Sequence, residues 1–186
     1  MRFGKLSYFA DFVVYPAVIL TLAGTELLRQ SSFSAVSWTL ACLAGLLGWT
    51  FLEYFFHRFV MHQVPIITRM HDVHHASPGA FVGTPTWLSL SGIGFGVFLP
   101  LWLLIPFGDA SGATTGVMLG YLWYGCVHYS LHHWQLDQSS FLYQAKLRHA
   151  AHHQGRQSKN FGVTTDLWDH VFCTAMNTDK TGNRER

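Results

Sequence analysis

The chain is short of charge and of cysteine, and each shortage excludes something. Only 12% of its 186 residues are charged while 49% are hydrophobic, and long stretches carry no charge. Soluble domains carry about a quarter charged residues, so the composition reads as that of an integral membrane protein with no nucleic-acid partner. The three cysteines, Cys42, Cys126 and Cys173, have no paired metal-binding spacing, and two fall inside apolar runs. A disulfide framework and a cysteine-based zinc site are therefore excluded. Carboxylates are too few for a Glu-x-x-His di-metal site of the ferritin kind. There is no nucleotide-binding loop, no low-complexity linker and no internal repeat beyond one histidine motif, so a single domain over 1–186 is expected.

What is present is apolar sequence in lengths that suit a bilayer. A membrane-crossing helix needs about twenty predominantly apolar residues. Runs at Phe33 to Phe56 and Thr84 to Phe107 meet that need, and a shorter one covers Gly112 to Val127. Phe12 to Leu28, with Glu26 near its end, is the weakest of four expected spans. No convincing small-x-small cleavage site follows it, so an uncleaved span is expected rather than a signal peptide. Among the glycines, Gly92, Gly94 and Gly96 are expected to permit close helix packing.

Four spans place nearly all the positive charge on one side. Arg2, Lys5, Arg58, Arg69, Lys146, Arg148, Arg156, Lys159, Lys180, Arg184 and Arg186 share it, and Arg29 alone falls outside. By the positive-inside rule both termini are cytoplasmic, in a bacterial inner membrane or an endoplasmic reticulum. Ser140 to Gln154 reads as an amphipathic helix beneath the membrane part, and the tail from Asn177 as frayed.

Histidine is the residue in excess. Of twelve, eleven fall in four groups: His57-x4-His62, His71-x2-His74-His75, His128-x3-His132-His133 and His149-x2-His152-His153, with His170 alone. Helical spacings of three and four put imidazoles on one face about a turn apart. The topology brings all four groups to the cytoplasmic side. Imidazole suits iron, zinc, copper and nickel, and one tetrahedral zinc takes only three or four ligands. Two ions are the natural count, and the reading is a histidine-rich dinuclear centre, with iron the leading metal. Glu53, one turn before His57, is a candidate acceptor for the free N–H of a ligating ring.

This order of histidine motifs across two membrane hairpins resembles the fatty acid hydroxylase and sterol desaturase superfamily of membrane di-iron oxygenases. The stretches Glu53-Tyr54-Phe55-Phe56-His57-Arg58-Phe59-Val60-Met61-His62, Gly120-Tyr121 through His128-Tyr129-Ser130-Leu131-His132, and Phe161-Gly162-Val163-Thr164-Thr165-Asp166-Leu167-Trp168-Asp169 are similar to the fatty acid 2-hydroxylases. The likeness covers roughly Thr50 to Thr174.

The resemblance implies an all-α membrane fold of about four transmembrane helices with a cytoplasmic helical cap. It implies metal ligation by His57, His62, His71, His74, His75, His128, His132, His149, His152 and His153, with His133 and His170 outside the set and no further catalytic residue. It also implies two iron ions, or zinc as purified, and an O2-dependent hydroxylation in which one oxygen enters an acyl chain, at the 2-position, and the other leaves as water. With no cytochrome b5-like haem domain ahead of the membrane part, electrons are expected from a separate cytochrome b5-like or ferredoxin-like protein. Two other readings remain at this point. One is a sterol- or carotenoid-type oxygenase or desaturase of the same superfamily; the other is a histidine-rich membrane metal transporter, which would place ligands across the membrane thickness.

Overall fold

The computed structural model describes residues 4–29, 34–154 and 159–176. Arg2, Arg156, Lys180, Arg184, Arg186, the connection Gln30 to Ser32 and the tail from Asn177 lie outside the described residues. The regular elements are helices. In chain order they are α1 (Lys5–Tyr8), α2 (Asp11–Arg29), α3 (Ala35–Phe55), continued as a π-helix over Phe56–Met61, α4 (Pro65–Ala76), α5 (Thr86–Ile93), a π-helical stretch Gly94–Phe98 leading into α6 (Leu99–Leu104), α7 (Phe107–His133), α8 (Tyr143–His153) and α9 (Leu167–Val171). The chain divides into two compact units, one of Met1–Trp49 and Phe81–Leu122, the other of Thr50–Ala80 and Trp123–Arg186.

The first unit carries most of the apolar helix. Among the described residues, Lys5–Arg29, Ala35–Met61 and Thr86–Leu104 are long and apolar enough to cross a membrane. The N-terminal run, the weakest of the four on sequence, is thus one of three that qualify. The Gly112 to Val127 run does not stand among them. It lies inside the 27-residue α7, which buries the hydroxyl residues Ser111, Thr114 and Thr115 and is diluted in hydropathy by them. Thr114 donates its hydroxyl to Ala110 O at 2.8 Å, which satisfies it inside the helix. Outward faces are apolar, with Leu20, Leu47, Phe95 and Leu103 all exposed, as side chains meeting lipid should be.

Packing in this unit depends on glycine, but not on the glycines expected. Gly92, Gly94 and Gly96 have open space where a side chain would stand. The close approach is between α3 and α7: a Cβ on Gly45 would lie 1.9 Å from Ala113 O, and one on Gly116 would lie 1.9 Å from Cys42 O. Small residues let two backbones approach where lipid supplies no hydrophobic drive. Beside them Tyr15, Trp49 and Tyr121 form an aromatic cluster, and Tyr121 donates to Asp11 Oδ2 at 2.6 Å.

The second unit holds the histidines. Its apolar core joins Val127 and Leu131 of α7 to Ala145 of α8 and to Val163 in the loop that follows. The amphipathic helix expected over Ser140 to Gln154 is α8, Tyr143–His153. Ala145 shares its face of α8 with His149 and His152, four and seven residues on, so the core and the buried histidines lie along one side of the helix.

Candidate metal centre

Local winding decides which rings meet. The pair His57-x4-His62 is five residues apart, and at about 100° per residue an α-helix would turn the two rings roughly 140° away from each other. Here the chain winds as a π-helix over Phe56–Met61, whose i→i+5 bonding returns residue i+5 to the face of residue i. The two rings stack with centroids 5.2 Å apart. The x4 spacing was the visible sequence signal for this winding.

Nine of the ten expected ligands fall into two groups, in each of which one nitrogen per ring lies within 4.8 Å of the others. The first is His57, His62, His71, His75 and His152; the second is His74, His132, His149 and His153. His128 adjoins the second, its Nε2 at 3.1 Å from His74 Nε2 and 3.3 Å from His132 Nε2. The motif His-x2-His-His occurs on α4 and on α8 and is used in complementary ways. On α4, His71 and His75 enter the first group and His74 the second; on α8, His149 and His153 enter the second and His152 the first. With His57 and His62 on one side and His128 and His132 on the other, the arrangement is five rings against five.

The nitrogen spacings fit metal ions. Within the first group Nε2 atoms approach at 3.2 Å (His57 to His71), 3.0 Å (His75 to His71) and 3.1 Å (His62 to His152). In the second, His149 Nε2 lies 2.8 Å from His132 Nε2 and 3.2 Å from His153 Nε2. Two nitrogens each about 2.1 Å from one ion lie about 3.0 Å apart at a right angle and about 3.4 Å apart at the tetrahedral angle. The ring protons point the same way. His57 donates its Nδ1–H to Phe161 O at 2.5 Å, and His152 its Nδ1–H to Lys159 O at 2.8 Å. Their Nε2 atoms are then bare lone pairs, and bare lone pairs turned on neighbouring nitrogens call for a cation.

Two buried carboxylates hold the loop that offers those carbonyls. Glu53 is 4% exposed and Asp169 1%. Glu53 Oε1 accepts the N–H groups of Val163 at 2.6 Å and Thr164 at 2.9 Å, and Oε2 accepts the Thr164 hydroxyl at 2.5 Å. Asp169 accepts the N–H groups of Phe161 at 2.9 Å and Gly162 at 2.7 Å, and the Thr174 hydroxyl at 2.7 Å. The ring one turn after Glu53, His57, gives its Nδ1–H to the carbonyl of Phe161, and Glu53 holds the loop that presents that carbonyl. Glu53 stood out in the sequence, but no spacing revealed that Phe161 and Lys159 present their carbonyls to the rings.

Burial keeps the rings neutral. It pushes His62 down to about 4 and His75 and His153 to about 3, with neighbouring imidazoles adding to the effect. His71, His74 and His149 are lowered for the same two reasons. At neutral pH such rings offer lone pairs rather than protons, which is what metal binding needs. His133 stands apart and stacks on Tyr129. His170 is exposed, its Nε2 3.7 Å from Asp166 Oδ2.

Residues 42–174 match the profile of a family described as Fatty acid hydroxylase. Mouse fatty acid 2-hydroxylase is 38% identical over 144 residues, which cover 71% of this chain and 38% of that protein. Arabidopsis thaliana dihydroceramide fatty acyl 2-hydroxylase FAH2 is 34% identical over 147 residues, covering 70% of this chain and 58% of that one. A solved structure described as full-length scs7p with only the hydroxylase domain visible superposes with a TM-score of 0.79 at 25% identity, over 95% of this chain and 71% of that chain. The chain thus spans about two fifths of the length of the mouse relative.

Proposed function

Given that the chain belongs to the fatty acid hydroxylase family, we propose that it is a membrane lipid hydroxylase inserting one oxygen of O2 at the 2-position of a fatty acyl chain. The observation that carries this reading is the pair of five-ring histidine groups with metal-compatible nitrogen spacing. The relatives' names, which concern fatty acid and dihydroceramide fatty acyl 2-hydroxylation, support an acyl chain over a sterol or carotenoid as substrate. Electrons come from a separate cytochrome b5-like or ferredoxin-like protein. The profile match takes in parts of both compact units, which supports reading them as one domain. In that domain α7 is the fourth span, the histidine-bearing helices form a cytoplasmic cap, and both termini are cytoplasmic.

The residues that hold the metals are His57, His62, His71, His75 and His152 for one ion and His74, His128, His132, His149 and His153 for the other. When bound, the iron pair supplies reductive activation of O2 for attack on an unactivated C–H bond. The protein's share is orientation and exclusion of water. Phe161 O and Lys159 O fix which nitrogen of His57 and His152 carries the proton, so that Nε2 stays a ligand. His57, His74, His149 and His152 are buried, which keeps bulk water from the inner faces of the rings.

Lipid mass spectrometry of cells with and without the protein tests the assignment. Expected is an acyl species heavier by one oxygen that disappears in His132→Ala. A species lighter by two hydrogens would make the enzyme a desaturase, and no new acyl species would remove the assignment.

A further inference from the structure

The first unit contains a second collection of ionisable groups, far along the sequence from any histidine motif. The end of α2 and the first turns of α3 and α7 enclose a pocket of about 360 Å³, lined chiefly by Glu26, Arg29, Ser37, Trp38, Phe107 and Asp109. Glu26 is 5% exposed, and its Oε2 has no hydrogen-bond partner among the described residues. Its other oxygen is lodged against Gly108, where a Cβ would lie 2.7 Å from Oε1, so a larger residue there would make the carboxylate shift. A buried carboxylate oxygen without a donor is costly unless a partner arrives from outside the chain.

The neighbouring charges define that partner. Asp109 accepts the Ser37 hydroxyl on Oδ1 at 2.5 Å, so it is held in place as a second negative group. Arg29 forms no ion pair with either carboxylate among the described residues; its guanidinium lies over the Phe107 ring, 4.9 Å from the centroid. Two carboxylates and one cation kept apart suit a ligand carrying both signs. The volume is about that of ten waters, too large for a bare metal ion and too small for an acyl chain. The pocket also lies where the stretch Lys5–Arg29 ends and the stretch Ala35–Met61 begins, at the depth of lipid headgroups.

We propose that this pocket binds a group bearing an ammonium and a phosphate close together, the chemistry of a zwitterionic phospholipid headgroup, with the ammonium on Glu26 and the phosphate on Arg29. A hydrogen bond to a buried charge is worth about 1.5–3 kcal/mol, or roughly ten- to hundredfold in affinity.

Native mass spectrometry of the delipidated full chain, titrated with phosphatidylethanolamine or phosphatidylglycerol, tests this. Expected is retention of one phosphatidylethanolamine per chain about tenfold better than phosphatidylglycerol. Glu26→Gln should erase that preference, and Arg29→Gln should weaken both lipids. Circular dichroism checks each variant's fold, and Asp109→Asn carries the test if Glu26→Gln fails it. Displacement by soluble phosphoethanolamine would assign the site to the headgroup chemistry alone; a preference that withstands such competition would assign it to the whole lipid. Equal retention of the two lipids, or a preference unchanged in the folded variants, would overturn the proposal.

Discussion

The two histidine groups have matching memberships and unlike surroundings. Each takes two rings from one chain segment, an i,i+4 pair from one His-x2-His-His motif and the middle ring of the other motif. They differ in what holds the outer ring nitrogens. In the first group, His57 and His152 are anchored through Nδ1 to the carbonyls of Phe161 and Lys159. In the second, Nδ1 of His74, His149 and His153 is buried without a hydrogen-bond partner among the described residues; His75 is the one such ring in the first. The loop after α8 therefore stiffens one metal position and not the other. Ligand identity alone would make two bound ions equivalent, while the surroundings would make one in the first group the more tightly held.

The comparison can be broken most severely through the crossed rings. His152→Ala should empty the first position although His152 lies on the helix that mainly serves the second, and His74→Ala should do the reverse. Each should lower hydroxylation by more than about a hundredfold, measured as product in membranes, because both ions act together.

The anchoring loop gives the next effect. Gly162→Ala would bring a Cβ to 2.0 Å from Thr165 O and 3.0 Å from Asp169 Oδ2, so the loop must move. Its first ion should bind about ten- to hundredfold more weakly, as when groups orienting a ligand are lost, while the second is unchanged in a competitive chelator titration. Glu53→Gln should act in the same direction and on the same ion, since a side-chain amide presents N–H donors toward the N–H groups that the carboxylate accepts. Equal weakening of both ions would remove the distinction between the positions.

Acid should give the smallest contrast. Rings of both groups have folded-state pKa values pushed from 6.5 to about 4 or 3 by burial, His62 and His75 in the first and His153 in the second. Above pH 6.5 these rings are neutral folded or unfolded and contribute no pH dependence. As pH falls from 6.5 toward about 4, the unfolded chain takes up protons that the folded one refuses, so the metal-free protein loses stability over that window. Thermal melts of apo protein between pH 7 and 4 should show it, with little difference between variants confined to one group.

Much of this was legible in the sequence. The ten candidate ligands are chemistry-bearing residues, eight of them at helical spacings of three and four, and their grouping is visible without knowledge of the fold. The division into two fives was not legible, because it depends on how the i+3 histidine of each motif crosses to the far group. The π-helical winding at Phe56–Met61 was encoded only in an interval of five, which an α-helical reading passes over. The carbonyl anchors were hidden because every residue has a carbonyl; only the packing of Glu53 and Asp169 against the loop selects Phe161 and Lys159. The run Gly112 to Val127 was read shorter than α7 because the buried hydroxyl residues lower the apolar signal, although Ser111 and Thr114 satisfy theirs inside the helix.

On this reading each five-ring group holds one ion. Metal content per chain, determined on purified wild type, on His71→Ala with His75→Ala, and on His149→Ala with His153→Ala, addresses it most directly. Expected are about two ions, one and one, respectively. A wild type holding one ion or fewer, or paired variants that both retain two, would contradict it.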